Sequence, residues 1–251
     1  YPWQRERHWH PTTPESLGLL SRRHVHPLLG YALQQHENTW QNQLDTQSHP
    51  SLADHVVGDA VVFPGTGFAE IALAAALQWQ DGDCAELEEL EIHAPLLLNA
   101  APSKLTRLLL DDADGRFRIT ARDSNSTEPW VKHASGRLLR EARPVRLTQA
   151  NLSLPDRAPD FTGDTHNALT RAVGLDYGPA FQAVSHGWME SDTSVLAVLQ
   201  ADPCIESELG ATHLHPALLD CAFQLIIQLL RNDPAMGQGI AFVPAKIGRL
   251  S

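Results

Sequence analysis

The sequence has few cysteines, little positive charge and no long apolar run, and each shortage argues against a class of protein. Three cysteines in 251 residues are too few and too widely spaced for a disulfide framework or a zinc pattern, which indicates a reducing cytoplasm. The formal net charge of -11 disfavours binding to nucleic acid or to anionic lipid. No run of about 18 apolar residues occurs, so no transmembrane helix is expected. Residues 1–10 are charged and aromatic, which is not typical of a signal peptide.

Several catalytic and ligand-binding motifs are also missing. The sequence has no G-x-S-x-G elbow, no P-loop and no G-x-G-x-x-G after a strand, so hydrolase and nucleotide-binding functions lose their usual support. Histidine, in contrast, is plentiful, with H-x-H pairs at His24 and His26 and at His213 and His215. A metal site needs three or four convergent ligands, and both pairs precede a proline, as turn residues do. We therefore expect no metal.

Two segments are apolar on nearly every side and predict buried helices. They are Phe68–Trp79 and Pro216–Leu230. Before the first, Thr66 offers a hydroxyl for an N-cap, and Glu70 places a carboxylate near the positive end of the helix dipole. Cys221, inside the second, is expected to be a buried and inert thiol.

Strand patterns surround both helices. In Arg116–Ala121 every second residue is apolar, which indicates a sheet with one face in water, and an Asp- and Gly-rich turn joins this strand to Leu105–Leu110. Residues 141–160 contain three prolines and no period, and predict a linker. Further elements are expected as strands at Leu87–Leu98, Trp130–Leu139, Trp188–Leu199 and Phe242–Leu250, and as a short helix at Thr165–Val173. The fold class is therefore α+β, with strands wrapped around one buried helix in each of two halves.

The first candidate for chemistry is His55, in the segment DHVVGDAVVFPGTGF. It precedes the start of the first buried helix, where the free N–H groups of Gly65 and Thr66 favour developing negative charge. A histidine there could remove a proton alpha to a thioester carbonyl while those groups hold the enolate oxygen. The alternative is a surface histidine on a loop.

The second candidate is Asp220, a single carboxylate inside an apolar run. Such a group is costly unless it is paired or protonated, and a protonated carboxyl could donate to a departing hydroxyl. Gln224 lies four residues on, on the same helical face, and could hydrogen-bond it. The alternative is a capping carboxylate near Pro216. Tyr177, in the turn-like segment Asp176–Pro179, either offers its hydroxyl to a substrate or serves only the turn.

These segments resemble the motifs of polyketide synthase dehydratases. His55 and Pro64 are similar to the family motif H-x-x-x-G-x-x-x-x-P, DYGPAFQ resembles GYGP, and HPALLDCAFQ resembles HPALLD-x-x-x-Q. WVKHASGRL and FVPAKIGRL also match the wording of the family, and YPWQRERHW resembles the end of the linker that follows an acyltransferase domain. Together the matches cover most of the chain in the order of the family.

The resemblance implies a double hot-dog fold, in which each half is a curled antiparallel sheet around a long helix. It divides the chain into a linker tail over 1–19, an N-terminal hot-dog over 20–140, a linker over 141–160 and a C-terminal hot-dog over 161–251. The second sheet should still need strands beyond Ser251, so we expect it to be incomplete at its end, with an exposed edge.

The resemblance also implies the roles of the site residues. His55 would be the base and Asp220 the acid in the removal of water from a 3-hydroxyacyl thioester. The expected substrate-binding residues are Tyr177, Gln224, Gly65, Pro64, Gly178 and Pro179, with Gly65 offering its N–H to the thioester carbonyl. No metal or organic cofactor is implied. The expected partners are an acyl carrier protein that carries the substrate, neighbouring domains of the same synthase and a second copy in a homodimer.

Two positions depart from the family motifs, and neither removes a proposed catalytic group. Asp59 replaces the glycine expected four residues after His55, with Gly58 one place early, and Asp176 replaces the first glycine of GYGP. The same fold and residue pair could also serve a double-bond isomerase, a cyclase or a product-template domain. A silent module kept for dimerisation or carrier docking would be marked by loss of His55 or Asp220. Both residues are present, which favours an active dehydratase.

Overall fold

The computed structural model describes residues 23–33, 36–80, 84–140, 153–232 and 244–251. The linker tail expected over 1–19 lies outside the described residues, and so do residues 141–152 of the second linker. The first two residues of the strand expected over 242–250 also lie outside them.

The described strands, in chain order, are β1 (His24–His26), β2 (Gly30–Ala32), β3 (Thr39–Leu44), β4 (His55–Val57), β5 (Ala60–Val61), β6 (Leu87–Ile92), β7 (Lys104–Leu110), β8 (Arg116–Asp123), β9 (Val131–Leu138), β10 (Phe161–Thr162), β11 (Leu175–Tyr177), β12 (Val184–Ser191), β13 (Ser194–Leu199) and β14 (Lys246–Leu250). The described α-helices are α1 (Gly65–Trp79), α2 (Gly163–Ala172), α3 (Glu206–Leu209), α4 (Pro216–Gln224) and α5 (Ile226–Leu230). Within the described residues, no helix has the length and apolar character needed to cross a membrane.

Eight of these strands form one antiparallel sheet in the order β1-β2-β3-β7-β8-β9-β6-β14. The predicted hairpin is confirmed, since β7 pairs with β8 along its whole length. In β8 the side chains of Phe117, Ile119 and Ala121 are buried, whereas Arg116 and Arg118 are exposed; Thr120, expected on the exposed face, is buried as well. This alternation places one face of the sheet in the core, where α1 packs against β6, β7 and β9.

Helix α1 is the predicted first buried helix, although it starts differently from the expectation. It begins at Gly65 after Pro64, which makes no side-chain cap, so the predicted N-cap at Thr66 is wrong. The Thr66 hydroxyl instead donates to the carbonyl oxygen of Pro216 at 2.9 Å. Thr66 is fully buried, and its hydroxyl forms a contact between the two halves.

The second half contains the three-stranded sheet β10-β12-β13, with α2 against β10 and β12 and with α4 and α5 against β13. The single helix predicted over Pro216–Leu230 is two helices, because the backbone leaves regular α-helical bonding at Leu225. It is not buried all round either, since Ile226 is 52% exposed. Cys221 is fully buried, as predicted.

Two strand pairings join the halves. Strand β11 of the second half pairs antiparallel with β4 of the first, and Tyr177 lies opposite His55. The last strand, β14, pairs with β6 at the edge of the large sheet, where Lys246 contacts Glu89 and Glu91. The half expected over 161–251 therefore contributes its final strand to the sheet of the first half.

Candidate active site

Strand β4 fixes His55 in a buried position at the junction of the halves. The side chain is 5% exposed, and its Nδ1 lies 2.7 Å from the carbonyl oxygen of Val62. A carbonyl oxygen only accepts hydrogen bonds, so Nδ1 carries the proton and donates it. In the neutral ring this contact leaves the lone pair on the other nitrogen, Nε2, which is the tautomer that a general base requires.

Helix α4 brings Asp220 to the same place from the other half. The residue is 5% exposed, and Oδ1 lies 3.7 Å from Nε2 of His55. That separation is too long for a hydrogen bond. The two predicted residues thus face each other across a short gap, with neither one tied up by the other.

Gln224 holds the Asp220 carboxyl, as its i+4 spacing predicted. Its Nε2 donates to Oδ2 of Asp220 at 3.0 Å and to the carbonyl oxygen of Phe181 at 3.1 Å. Because Oδ2 accepts this hydrogen bond, Oδ1 is the carboxyl oxygen that remains directed at His55.

Tyr177 lies at the end of β11 and not in the tight turn that we expected. Its ring centroid is 5.2 Å from that of His55, and Phe181 packs 4.9 Å from His55 on another side. Burial raises the pKa of Tyr177, and the nearby Asp220 and Cys221 raise it further. The phenol therefore keeps its proton and remains able to donate a hydrogen bond.

The turn after Tyr177 is tied to the residue that precedes His55. The Gly178 N–H donates to the carbonyl oxygen of Asp54, and the Ala180 N–H donates to Oδ2 of Asp54 at 2.9 Å. A Cβ on Gly178 would lie 2.4 Å from the Asp54 carboxyl, so glycine is required by close approach. Pro179 then starts a short 3₁₀ helix that ends at Phe181. Sequence reasoning missed Asp54, which has no local pattern that reveals its contacts.

Pro64 and Gly65 form the start of α1, three residues before the predicted start at Phe68. The first N–H groups of a helix have no acceptor inside it, so they are available to a ligand. A Cβ on Gly65 would lie 2.8 Å from Cδ1 of Ile92 and 3.3 Å from Cγ of Pro244. Glycine therefore suits this crowded position.

Neither of the two departures from the family motifs, at Asp59 and Asp176, disturbs the site residues. Gly58 adopts a left-handed conformation with φ of 61° in the turn between β4 and β5, and Asp59 is exposed beside it. Asp176 is also exposed and lies 3.3 Å from the guanidinium of Arg171.

An apolar cavity of about 390 Å³ opens onto the acid side of the site. Tyr177, Asp220 and Gln224 line it together with apolar side chains of α4, α5 and β14. A larger cleft of about 690 Å³ lies next to His215 and Glu208, and neither His55 nor Asp220 lines it. The smaller cavity therefore combines the carboxyl of Asp220 with the apolar surface that an acyl chain needs, although His55 is not among its lining residues.

One histidine of each H-x-H pair belongs to a structural contact between the halves. The rings of His26 and His213 stack with centroids 5.5 Å apart. Glu70, which is 1% exposed, links the same two segments, since it accepts hydrogen bonds from Nε2 of His26 and from the N–H groups of His213 and Leu214. Glu70 is thus a buried anchor and not the dipole-facing carboxylate that we expected. Among the described residues, no group of three or more His, Cys, Asp or Glu side chains is placed to hold a metal ion.

Comparison with known proteins gives the same family from both halves. A family model described as polyketide synthase dehydratase domain matches residues 26–132, and one described as polyketide synthase dehydratase N-terminal domain matches residues 149–251. Polyketide synthase GfsA of Streptomyces halstedii is 32% identical over 240 residues. That match covers 90% of this chain and 3% of the relative, so the chain spans a small part of the length of such synthases.

Solved dehydratase domains share the fold. The dehydratase domain from the terminal module of the rifamycin polyketide synthase is 27% identical, with a TM-score of 0.73 over 92% of this chain and 83% of its own. A structure from a study of dehydratase substrate selection for the borrelidin and fluvirucin polyketide synthases is 30% identical, with a TM-score of 0.70 over 84% and 77%. The chain belongs to the polyketide synthase dehydratase family and has its double hot-dog fold.

Proposed function

We propose that this chain removes water from a 3-hydroxyacyl thioester and gives an α,β-unsaturated acyl thioester, with His55 as the base and Asp220 as the acid. The observation that carries the proposal is the 3.7 Å approach of Nε2 of His55 and Oδ1 of Asp220, both buried and contributed by different halves. Two groups at this separation can act on adjacent carbons of one acyl chain.

The proton transfers balance without another reactant. Nε2 of His55 takes the proton from Cα, and the electron pair of that C–H bond forms the Cα=Cβ double bond. The Cβ–O bond breaks, and the leaving hydroxyl takes the proton of Asp220 and departs as water. The proton gained by His55 then restores the carboxyl of Asp220. Side chains supply every proton, so the proposed reaction uses no metal or organic cofactor.

Several neighbours support this chemistry. The carbonyl oxygen of Val62 holds the His55 tautomer that has its lone pair on Nε2. The Gly65 N–H, at the start of α1 after Pro64, would stabilise negative charge on the thioester oxygen. Tyr177, held by the turn of Gly178 and Pro179, would donate a hydrogen bond to the β-hydroxyl, and Gln224 would orient the acid.

The partners follow from the substrate. We propose that an acyl carrier protein delivers the acyl chain on its phosphopantetheine arm and that the chain works as a homodimer in the cytoplasm. The relatives it matches are multidomain polyketide synthases, which supports neighbouring domains of one synthase as further partners.

The test offers purified protein both epimers of a 3-hydroxyacyl thioester on a carrier protein and follows loss of water by mass spectrometry. We expect one epimer to be dehydrated and His55→Ala and Asp220→Asn each to lower turnover by about 10²–10⁴-fold. Asp59→Asn, which changes an exposed carboxylate four residues after the same histidine, is the matched control and should turn over normally. Undiminished turnover in either active-site variant would contradict the assigned role. A shifted double bond or a ring as the only product would favour the isomerase or the cyclase.

A further inference from the structure

A chain of buried polar side chains runs from α2 and α5 to the Asp220 carboxyl. All of its members are at most 5% exposed: Gln228, His166, Gln224 and Asp220. Three of them, at 220, 224 and 228, follow one another at intervals of four on α4 and α5, and the histidine comes from a helix 58 residues earlier. Buried polar groups are costly unless each finds a partner, so the geometry of the chain is tightly constrained.

The first link fixes the proton on the ring of His166. Nε2 of Gln228 lies 3.0 Å from Nδ1 of His166, and the amide nitrogen can only donate. Nδ1 is therefore the acceptor, and the proton lies on Nε2. Burial lowers the pKa of His166, which keeps the ring neutral.

The second link fixes the orientation of the Gln224 amide. Nε2–H of His166 donates to Oε1 of Gln224 at 3.4 Å, while the amide nitrogen donates to Asp220 and to the carbonyl oxygen of Phe181. If the amide turned by 180°, its oxygen would face the Phe181 carbonyl and its NH₂ group would face the ring N–H of His166. Both contacts would be repulsive.

The orientation of the amide decides where the acid carries its proton. In the protonated acid that the proposed reaction requires, the hydrogen bond from Gln224 to Oδ2 of Asp220 leaves the proton on Oδ1, the oxygen 3.7 Å from Nε2 of His55. A turned amide would offer its oxygen to a proton on Oδ2 and would hold that proton away from the substrate.

We propose that His166 is a positioning residue for the acid: it acts through Gln224 to keep the proton of Asp220 on the oxygen that faces the reaction. The inference rests on the proposed dehydration for its kinetic consequence, whereas the hydrogen-bond chain is a property of the folded protein. Loss of the Nε2–H donor of His166 should therefore lower kcat and leave KM nearly unchanged.

The kinetic test compares variants at His166. His166→Phe keeps a ring in the cavity but removes the N–H, and should lower kcat by about tenfold. His166→Gln places an amide N–H near the position of Nε2 and should restore most of that loss. His133→Phe, at a buried histidine of β9 whose contact is the carbonyl oxygen of Ala94, controls for lost stability and should keep a normal kcat. In a Gln224→Leu background, His166→Phe should lower kcat no further.

Three kinetic results would overturn the proposal: a normal kcat in His166→Phe, no rescue by His166→Gln, or an equal further loss in the Gln224→Leu background. An NMR measurement of the tautomer separates it from the proposed function. Two-bond ¹H–¹⁵N spectra of the wild-type protein should show the Nε2–H form of His166, and the Nδ1–H form would refute the relay. If the protein shows that tautomer but dehydrates neither epimer, the proposed function fails while the relay stands.

Discussion

Replacing Glu70 with glutamine should destabilise the fold strongly, because this carboxylate is the buried anchor of the contact between the halves. It accepts hydrogen bonds from Nε2 of His26 at 2.9 Å, the His213 N–H at 2.6 Å and the Leu214 N–H at 2.9 Å. The last two belong to the loop that leads into α4, the helix that carries Asp220. Glutamine has nearly the same shape but replaces one acceptor oxygen with an NH₂ group that faces donors.

The size of the effect follows from the number of hydrogen bonds lost. A hydrogen bond to a charged group contributes about 1.5–3 kcal/mol. Oε1 accepts from both His26 and the His213 N–H, so a glutamine oxygen in that position keeps two of the three hydrogen bonds and loses the one from Leu214. Loss of one gives about 1.5–3 kcal/mol in the free energy of unfolding. For a chain of this size, the melting temperature should fall by roughly 3–12 °C.

The loss of stability in Glu70→Gln should be smaller at low pH than at neutral pH. Burial raises the pKa of Glu70, but the hydrogen bonds from His26, His213 and Leu214 outweigh burial and leave the pKa below its ordinary value of 4.5. The carboxylate therefore stabilises the folded state fully above about pH 4.5, and this contribution is lost as the pH falls through the folded pKa. The difference in the free energy of unfolding between wild type and Glu70→Gln should therefore become smaller under acid conditions.

Urea unfolding followed by tryptophan fluorescence at several pH values measures both quantities. Glu91→Gln is the matched control, because Glu91 is exposed and its contact with Lys246 is a surface ion pair, so its loss should cost at most about 1 kcal/mol. If Glu70→Gln lowers the free energy of unfolding by less than about 1 kcal/mol, or if its difference from wild type grows under acid conditions, the role given to Glu70 is wrong.

Three further predictions concern single side chains. Gly178→Ala would place a Cβ 2.4 Å from the Asp54 carboxyl and should lower both stability, by about 1–3 kcal/mol, and turnover. Burial lowers the pKa of His133 below 6.5, so just below that pH the unfolded chain takes up a proton at this residue and the folded chain does not. The free energy of unfolding therefore falls as the pH decreases below about 6.5, and His133→Gln should make it depend less on pH. Burial raises the pKa of both Cys204, to about 11, and Cys221, to about 12, but only Cys204 is exposed, so a thiol reagent should modify Cys204 and spare Cys221 until denaturant is added.

Each of these has a direct readout. Unfolding curves and the dehydration assay measure Gly178→Ala, and unchanged values would contradict the close approach. Urea midpoints at about pH 7.5 and 5.5 measure the histidine variant, and an unchanged pH slope would contradict the assignment. Mass spectrometry of labelled peptides measures the thiols, and rapid native labelling of Cys221 would contradict its burial.

The sequence predicted the parts of the fold that depend on periodicity. The alternation in β8 gave the orientation of the large sheet, and the unbroken apolar run gave α1, because burial of one face or of all faces leaves a repeating pattern. The break at Leu225 escaped prediction, since no glycine or proline marks it. The Thr66 hydroxyl was assigned to a cap by local rules, but a contact 150 residues away determines its role.

The site residues also fall into those that the local sequence reveals and those that it does not. Asp220 was found as a single carboxylate inside an apolar run, and Gln224 because a spacing of four places it on the same helical face; Gln228 could have been found by extending that spacing. His166 and Asp54 could not, because their partners are 58 and 126 residues away and nothing in the local sequence indicates the contact. Glu70 was misread for the same reason, since its partners lie 44 and 143 residues away.

The most direct test of the site is a crystal structure of Asp220→Asn bound to a 3-hydroxyacyl pantetheine substrate. The account predicts that Nε2 of His55 faces Cα and that the side chain at position 220 lies within about 2.6–3.2 Å of the β-hydroxyl oxygen. A substrate bound with its β-hydroxyl away from position 220, or with Cα out of reach of His55, would contradict it.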